Sequence, residues 1–184
     1  MLKPFKKHGS QELLKTPIFN LRQDKAEHPK TGRVGSYYVL EVPDWVNIIA
    51  KTEAGDFLMV RQWRHGSAEF ELELPAGALD HGETPLEAAA RELREETGFE
   101  AQSLTLLGNT MPNCAYQSNK CYSVLAEGCR LVGDTAFDPG EDIELLQMPF
   151  EEVIQLFRSG VIRNGMGVCA MFLWLDQNKK IDWR

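Results

Sequence analysis

Basic charge is scarce in this chain: 20 Lys and Arg stand against 27 Asp and Glu among 184 residues, a formal net charge of −7. Nucleic-acid backbones are held by clustered Lys and Arg, so the charge argues against an electrostatic nucleic-acid binder, and no nucleic-acid partner is expected. A small polyanionic substrate is not, because bound cations can invert the local sign of an acidic site. Cysteine is equally sparse. Cys114, Cys121, Cys129 and Cys169 include no C-x-x-C pair and no zinc-finger spacing, so buried free thiols are expected. No run approaches the roughly 18 apolar residues of a membrane helix, so no membrane partner is expected. Lys3, Lys6 and Lys7 near the start are followed by no apolar segment of the signal-peptide kind. A cytoplasmic location is therefore expected. No repeat and no low-complexity linker interrupts the chain.

What is present suits one globular domain of ordinary size, with 43% hydrophobic and 26% charged residues. The most informative stretch is Gly77 to Phe99, GALDHGETPLEAAARELREETGF. Thr84 is placed as an N-cap, Pro85 as the first helical residue and Glu87 as the acid of a capping box. Leu86 to Thr97 is rich in strong helix formers, and Gly98 supplies the left-handed residue that ends a helix. Leu86, Ala89, Ala90 and Leu93 recur at helical spacing and form the expected buried stripe. Glu92 and Glu96 are four apart and Glu95 is three from Glu92, so these acids share a face. Like charges at that spacing cost a helix roughly 0.2–0.5 kcal/mol per pair. Arg91 can offset part of the cost by pairing with Glu95 at i+4. A merely solvated acidic face would not come with a cap, a loop glycine and a paired arginine.

Along the rest of the chain, residues 1–16 read as polar and loosely held. Ile18–Arg22 reads as a short strand, and residues 24–32 as a hairpin connection. Strand compositions follow at residues 33–42, 45–51, 57–63 and 70–74, with a turn over Glu53–Asp56. Later strands are expected at 103–107, 120–126 and 143–148. Helices are expected at 150–157 and 165–176, the last packing through Val168, Met171, Phe172 and Leu175. Strands interleaved with a few helices imply a mixed sheet covered on both faces.

The spacing G-x5-E-x7-R-E-U-x-E-E-x-G-U, with U a large apolar residue, is met at Gly77, Glu83, Arg91, Glu92, Leu93, Glu95, Glu96, Gly98 and Phe99. Seven of these nine are single-residue requirements, each matched by chance about one time in fifteen at ordinary residue usage. The joint match therefore outweighs a short motif such as a lone G-x-G-x-x-G. The pattern resembles the signature of the Nudix hydrolases. Trp45-Val46-Asn47-Ile48, Val60-Arg61-Gln62-Trp63-Arg64 and Glu73-Leu74-Pro75-Ala76-Gly77 look like the ADP-ribose pyrophosphatases and related nucleoside diphosphate-sugar hydrolases within that superfamily.

The resemblance implies an α/β fold, an α/β/α sandwich with a mixed central sheet plus a small N-terminal antiparallel sheet. It divides the chain into an N-terminal β region at 1–42, expected at a homodimer interface, and a Nudix domain at 43–184. It implies Mg2+ as cofactor, with Mn2+ as a substitute, held by Glu92, Glu95, Glu96 and the carbonyl of Ala76. The expected reaction converts ADP-ribose to AMP and ribose 5-phosphate. The alternatives are hydrolysis of GDP-mannose, ADP-glucose or another nucleoside diphosphate sugar, and a non-catalytic nucleotide sensor. Arg91 is placed with Glu92 and Glu95 in the catalytic machinery, as the residue that orients Glu95, and Glu83 as a loop-fixing or further metal-binding acid.

A general base is implied in the loop Phe137-Asp138-Pro139-Gly140-Glu141-Asp142-Ile143-Glu144, with Glu141 first and Asp142 and Glu144 next. Arg64 is the implied phosphate or ribose ligand. Arg61, three residues earlier on the strand, points to the opposite face. Phe19 and Tyr37 are candidates to stack on the base, or core residues. In Met111-Pro112-Asn113-Cys114, Pro112 stands slightly early for the family's substrate-side proline and no glycine follows it, which leaves base and sugar preference open.

Overall fold

The computed structural model describes residues 1–137 and 139–181, in two compact units. In chain order the elements are β1 (Lys6–Lys15), β2 (Asn20–Glu27), β3 (Val34–Glu41), β4 (Trp45–Thr52), β5 (Phe57–Arg64), β6 (Glu69–Glu73) and β7 (Ala76–Ala78). They continue with α1 (Pro85–Thr97), β8 (Phe99–Glu100), β9 (Ser103–Thr110), β10 (Cys121–Leu131), β11 (Ile143–Met148), α2 (Phe150–Arg158) and α3 (Gly165–Gln177).

The first unit comprises Met1–Pro43 and Met111–Lys120, so a segment beyond residue 43 belongs with the N-terminal strands. Its sheet is antiparallel in the order β1-β2-β3. Residues 1–16 are thus not loosely held; most of them form β1. The strand expected at Ile18–Arg22 begins later and runs to Glu27, through residues read as a hairpin connection. The polar sequence hid these strands because cross-strand polar pairs stand where apolar alternation would. Ser10 donates to Asp24 at 2.6 Å, Lys7 pairs with Asp24 at 3.0 Å, and Lys25 donates to Ser36 at 2.6 Å. The connection itself is tight, with His28 N–H donating to Arg33 O at 2.9 Å and Gly32 N–H to His28 O at 3.0 Å.

The second unit comprises Asp44–Thr110 and Cys121–Arg184. Its eight-stranded sheet has the order β11-β5-β4-β10-β8, with β6 on β5, β7 on β4 and β9 on β10. β4 and β10 run parallel, while β11 and β6 are antiparallel to β5. Alternation along β4 divides the core between the two faces. Val46, Ile48 and Ala50 pack with Ala88, Ala89 and Leu93 of α1. Ile49 packs on the other side with Val153 of α2 and with Ala170, Met171 and Trp174 of α3. The result is the α/β/α sandwich expected from the sequence.

Of the four thiols expected to be buried, Cys121 and Cys129 are, on β10 in the sheet, whereas Cys114 and Cys169 are exposed. Two helix faces also differ from expectation. In α1, Leu86 and Ala90 are exposed, and the buried residues are Ala88, Ala89, Leu93, Glu96 and Thr97. A hydrogen bond from Ala76 N–H to Glu96 at 2.9 Å fixes this rotation. In α3 the buried set is Gly167, Ala170, Met171 and Trp174, with Val168 and Phe172 exposed. The spacing is as expected but the phase is one residue earlier. Trp174 sets it by packing edge-on against Phe57 and Phe150, with ring centroids 5.4 and 5.6 Å away. Both patterns are apolar along this helix, so periodicity could not choose between them.

Candidate active site

The site is built where β7 runs into the loop before α1. Thr84 caps α1 as the sequence predicts: its Oγ1 accepts from Glu87 N–H at 3.3 Å and Glu87 accepts from Thr84 N–H at 2.8 Å. At the other end Gly98 adopts φ 75° and donates its N–H to Arg94 O at 3.0 Å. Two capped ends hold the helix in register with β7. Gly77 lies against the helix so closely that a Cβ there would sit 1.9 Å from a carboxylate oxygen of Glu92. Only glycine lets the backbone and this carboxylate share the space.

Glu96 is 2% exposed. Burial pushes its carboxyl up to about 8, with Glu92 and Glu141 adding to the shift and the Ala76 N–H opposing it. Burial also raises Glu92, against the hydrogen bonds and charge of Arg91. Arg91 is the hub of the loop side. Its Nε and Nη2 donate to the two Glu83 oxygens, each at 2.9 Å, and its Nη1 donates to Glu92 at 2.8 Å and Glu95 at 3.1 Å. Nη2 also reaches the Ala78 carbonyl at 2.9 Å. The expected Arg91–Glu95 pair is therefore one spoke of several. Glu83 also accepts from Asp80 N–H at 2.9 Å. Its hydrogen bonds to Arg91 and to the Asp80 N–H hold its carboxyl below the usual carboxylate range, against burial. It fixes the loop.

Opposite these acids, β5 presents Gln62 and Arg64 on one face, as alternation requires. Arg64 donates to Glu73 of β6 through Nε at 3.1 Å and Nη2 at 2.7 Å. Arg61 faces away and pairs with Glu144 at 2.5 Å. A cleft of about 220 Å3 is lined by Trp45, Gln62, Arg64, Ala76, Glu92, Glu95, Glu96 and Glu141, together with the Gly77–Ala78 backbone, Asp80 and Arg91. Of the three acids considered as base, Glu141 lines this cleft and Asp142 and Glu144 do not. Asp138, in the same loop, lies outside the described residues. Phe19, Tyr37 and Pro112 belong to the other unit and are not among the lining residues. Phe19 sits in a turn closed by Thr16, whose Oγ1 accepts from Phe19 N–H at 2.9 Å. Tyr37 is exposed and meets Phe5 edge-on at 5.4 Å, and Pro112 is exposed.

Sequence reasoning missed Gln62, Glu73 and Trp45 as parts of this site. Gln62 was within reach, because it shares the strand face of Arg64. Glu73 was legible only as one letter of Glu73-Leu74-Pro75-Ala76-Gly77. Trp45 was likewise legible only as the first letter of Trp45-Val46-Asn47-Ile48; its indole Nε1 is buried without a hydrogen-bond partner among the described residues.

The arrangement resembles known proteins in sequence and in fold. A model of the NUDIX domain matches residues 43–164. The chain is 35% identical over 171 residues to the ADP-ribose pyrophosphatase of Mycobacterium tuberculosis, covering 91% of this chain and 81% of that protein. It is 27% identical over 152 residues to the ADP-ribose pyrophosphatase of Bacillus subtilis, covering 82% of each. The crystal structure of an ADP compounds hydrolase superposes with a TM-score of 0.85 at 24% identity, covering 98% of this chain and 99% of that one, so the fold is shared. A domain model and a relative that each span most of the chain lead to one conclusion: the chain belongs to the Nudix hydrolase family.

Proposed function

We propose that this protein hydrolyses the diphosphate bond of ADP-ribose to AMP and ribose 5-phosphate, using Mg2+ with Mn2+ as a substitute. The observation that carries the reading is the single cleft in which Glu92, Glu95 and Glu96 of α1 face Arg64 of β5 and Glu141. The relatives from Mycobacterium tuberculosis and Bacillus subtilis are named for ADP-ribose.

The donor set fits a hard divalent cation. Burial raises the carboxyls of buried Glu96 and half-buried Glu92; the charges of Glu92 and Glu141 add to the shift at Glu96, and those of Glu95 and Glu141 add at Glu92, a tension that a cation among these acids relieves. Among the described residues no group of three or more His, Cys, Asp or Glu side chains closes on a single point. Mg2+ does not need such a cage, because it keeps several waters and completes its shell with substrate phosphate. Glu92, Glu95, Glu96 and the Ala76 carbonyl would hold it. When bound, such a cation neutralises diphosphate oxygens and acidifies a water.

The chain's own groups supply the rest. Arg91 holds Glu92 and Glu95 in place, and Arg64 donates N–H groups to a diphosphate oxygen. Glu141 accepts the proton from the attacking water as its oxygen bonds to phosphorus. The P–O bond to the other phosphate then breaks, and that phosphate leaves with the electron pair. Water and ADP-ribose thus account for all atoms of AMP and ribose 5-phosphate. Phe19, Tyr37 and Pro112 are proposed to select base and sugar, and a homodimer is proposed as the working form. A cytoplasmic location belongs to the same reading; no helix among the described residues is long and apolar enough to cross a membrane.

The test is a substrate panel of ADP-ribose, GDP-mannose, ADP-glucose, dinucleoside polyphosphates and NADH, each assayed with Mg2+ and with Mn2+. Preference for ADP-ribose in kcat/KM supports the proposal. Preference for another sugar nucleotide moves the assignment within the family. Turnover of none, with metal present, turns it toward a nucleotide sensor.

A further inference from the structure

β6 carries Glu69, Glu71 and Glu73 at alternate positions, so all three carboxylates rise from one face of the strand. Two arginines meet them. Arg64 is paired in the sheet with Glu69, the first of the three. Glu73 lies four residues further along β6, about 13 Å at the rise of a β-strand. Yet Arg64 bonds Glu73, through Nε at 3.1 Å and Nη2 at 2.7 Å. The side chain therefore lies along the sheet instead of standing off it, and it passes the two nearer acids.

Arg163, in the turn between α2 and α3, accounts for that choice. Its Nη2 donates to Glu69 and to Glu71, the latter at 3.0 Å, and its Nε donates to Glu71 at 3.3 Å. The two carboxylates closest to Arg64 in register are thus already taken. Glu73 is 4% exposed, and a buried carboxylate left without a cation would be costly. Its pairing with Arg64 meets that need and sets the direction of the guanidinium. Burial pulls Arg64 down, and the hydrogen bonds and charge of Glu73 more than compensate, so its charge is secured. Nη1 carries no hydrogen bond among the described residues, while Arg91, the other cationic side chain of the cleft, has all three nitrogens engaged.

We propose that Glu73 and Arg163 are positioning residues for Arg64: Glu73 aims the guanidinium along β6 into the cleft, and Arg163 occupies Glu69 and Glu71 so that they do not draw it back. The inference rests on the reading that Arg64 binds substrate phosphate. Neither residue touches substrate; both act through Arg64. Loss of Arg163 is expected to let Arg64 turn to Glu69 and Glu71, and loss of the Glu73 charge to let it wander.

The experiment is a pair of double-mutant cycles, read as KM and kcat on the preferred substrate of the panel, with Tm measured for every variant. Arg64→Ala is expected to raise KM about tenfold, as for a charge-assisted contact to phosphate, with a smaller change in kcat. Glu73→Gln and Arg163→Gln are each expected to raise KM about three- to tenfold in the wild-type background and to add nothing in the Arg64→Ala background. Arg163 is exposed, so Arg163→Gln decides the matter if Glu73→Gln does not fold. KM costs that persist undiminished in the Arg64→Ala background would overturn the positioning role and leave Arg64 as a ligand. An unchanged KM for Arg64→Ala would remove the phosphate role of Arg64, and the inference with it.

Discussion

Glu96 sits on the buried face of α1, beside Leu93 and Thr97. Its carboxyl titrates near 4.5 in the unfolded chain and near 8 in the folded, metal-free protein. Between those values the folded state keeps a proton that the unfolded state has lost, so stability falls as pH rises through that window and is level above it. Glu96→Gln keeps an acceptor for the Ala76 N–H but cannot ionise. The metal-free variant should therefore gain on the wild type between pH 5 and pH 8, by roughly 5 °C in Tm. A Tm difference independent of pH would contradict the burial assignment. The same substitution should remove most turnover at saturating metal. Glu141 carries a different burden, since it lines the cleft but belongs to its exposed rim. Glu141→Gln should lower kcat by about 10²-fold or more, as for loss of a general base, with KM little changed. Unchanged turnover would take Glu141 out of the mechanism. The signature acids could be named from spacing alone. The ranking of Glu141 ahead of Asp142 and Glu144 comes from the resemblance; the cleft adds only that Glu141 lines it and the other two do not, because neighbours in a loop differ by direction.

The element that makes the site is the junction of β7 with α1, where Gly77 and Glu92 share one space. A Cβ at Gly77 would lie 1.9 Å from one Glu92 oxygen and 2.0 Å from its Cδ, both at the end of a flexible side chain. Gly77→Ala should therefore fold, with a small change in Tm, while displacing the Glu92 carboxylate. Activity should fall about 10²-fold, the scale of an ångström-sized misplacement in an active site. A variant that loses stability and activity together would show that the glycine serves the backbone rather than the carboxylate. The helix was readable end to end, from the Thr84 capping box to Gly98, because caps are local chemistry. Its rotation was not. Leu86 and Ala90 fit the stripe as well as Ala88 and Thr97 do, and the contact of β7 with Glu92 and Glu96 chose between them. The phase of α3 was decided in the same way by Trp174.

At the scale of the molecule, the three strands of the first unit pose a different problem. Every residue of β1 is exposed, and in β1 to β3 only Ala26 is buried, at 7% exposure. Leu13, Leu14, Val34, Tyr37 and Tyr38 remain open to solvent. Three strands need an apolar face packed on something to be stable, and a second copy of the chain is the expected cover. Light scattering at micromolar concentration should give twice the 20.8 kDa of the chain. A monomer under those conditions would exclude the homodimer. The sequence by itself determined the family chemistry: the order of the acids, the capped helix that carries them and the alternation that sends Arg64 and Arg61 to opposite faces. These are contacts between near neighbours, so local geometry decides them. Only the tertiary structure decided that Glu96 faces the core, that β1 exists in a polar stretch and that Glu73, not the nearer Glu69 or Glu71, takes Arg64. Each of those outcomes depends on a partner in another element of the fold, and competition among several like charges is settled only where the strands have been brought together.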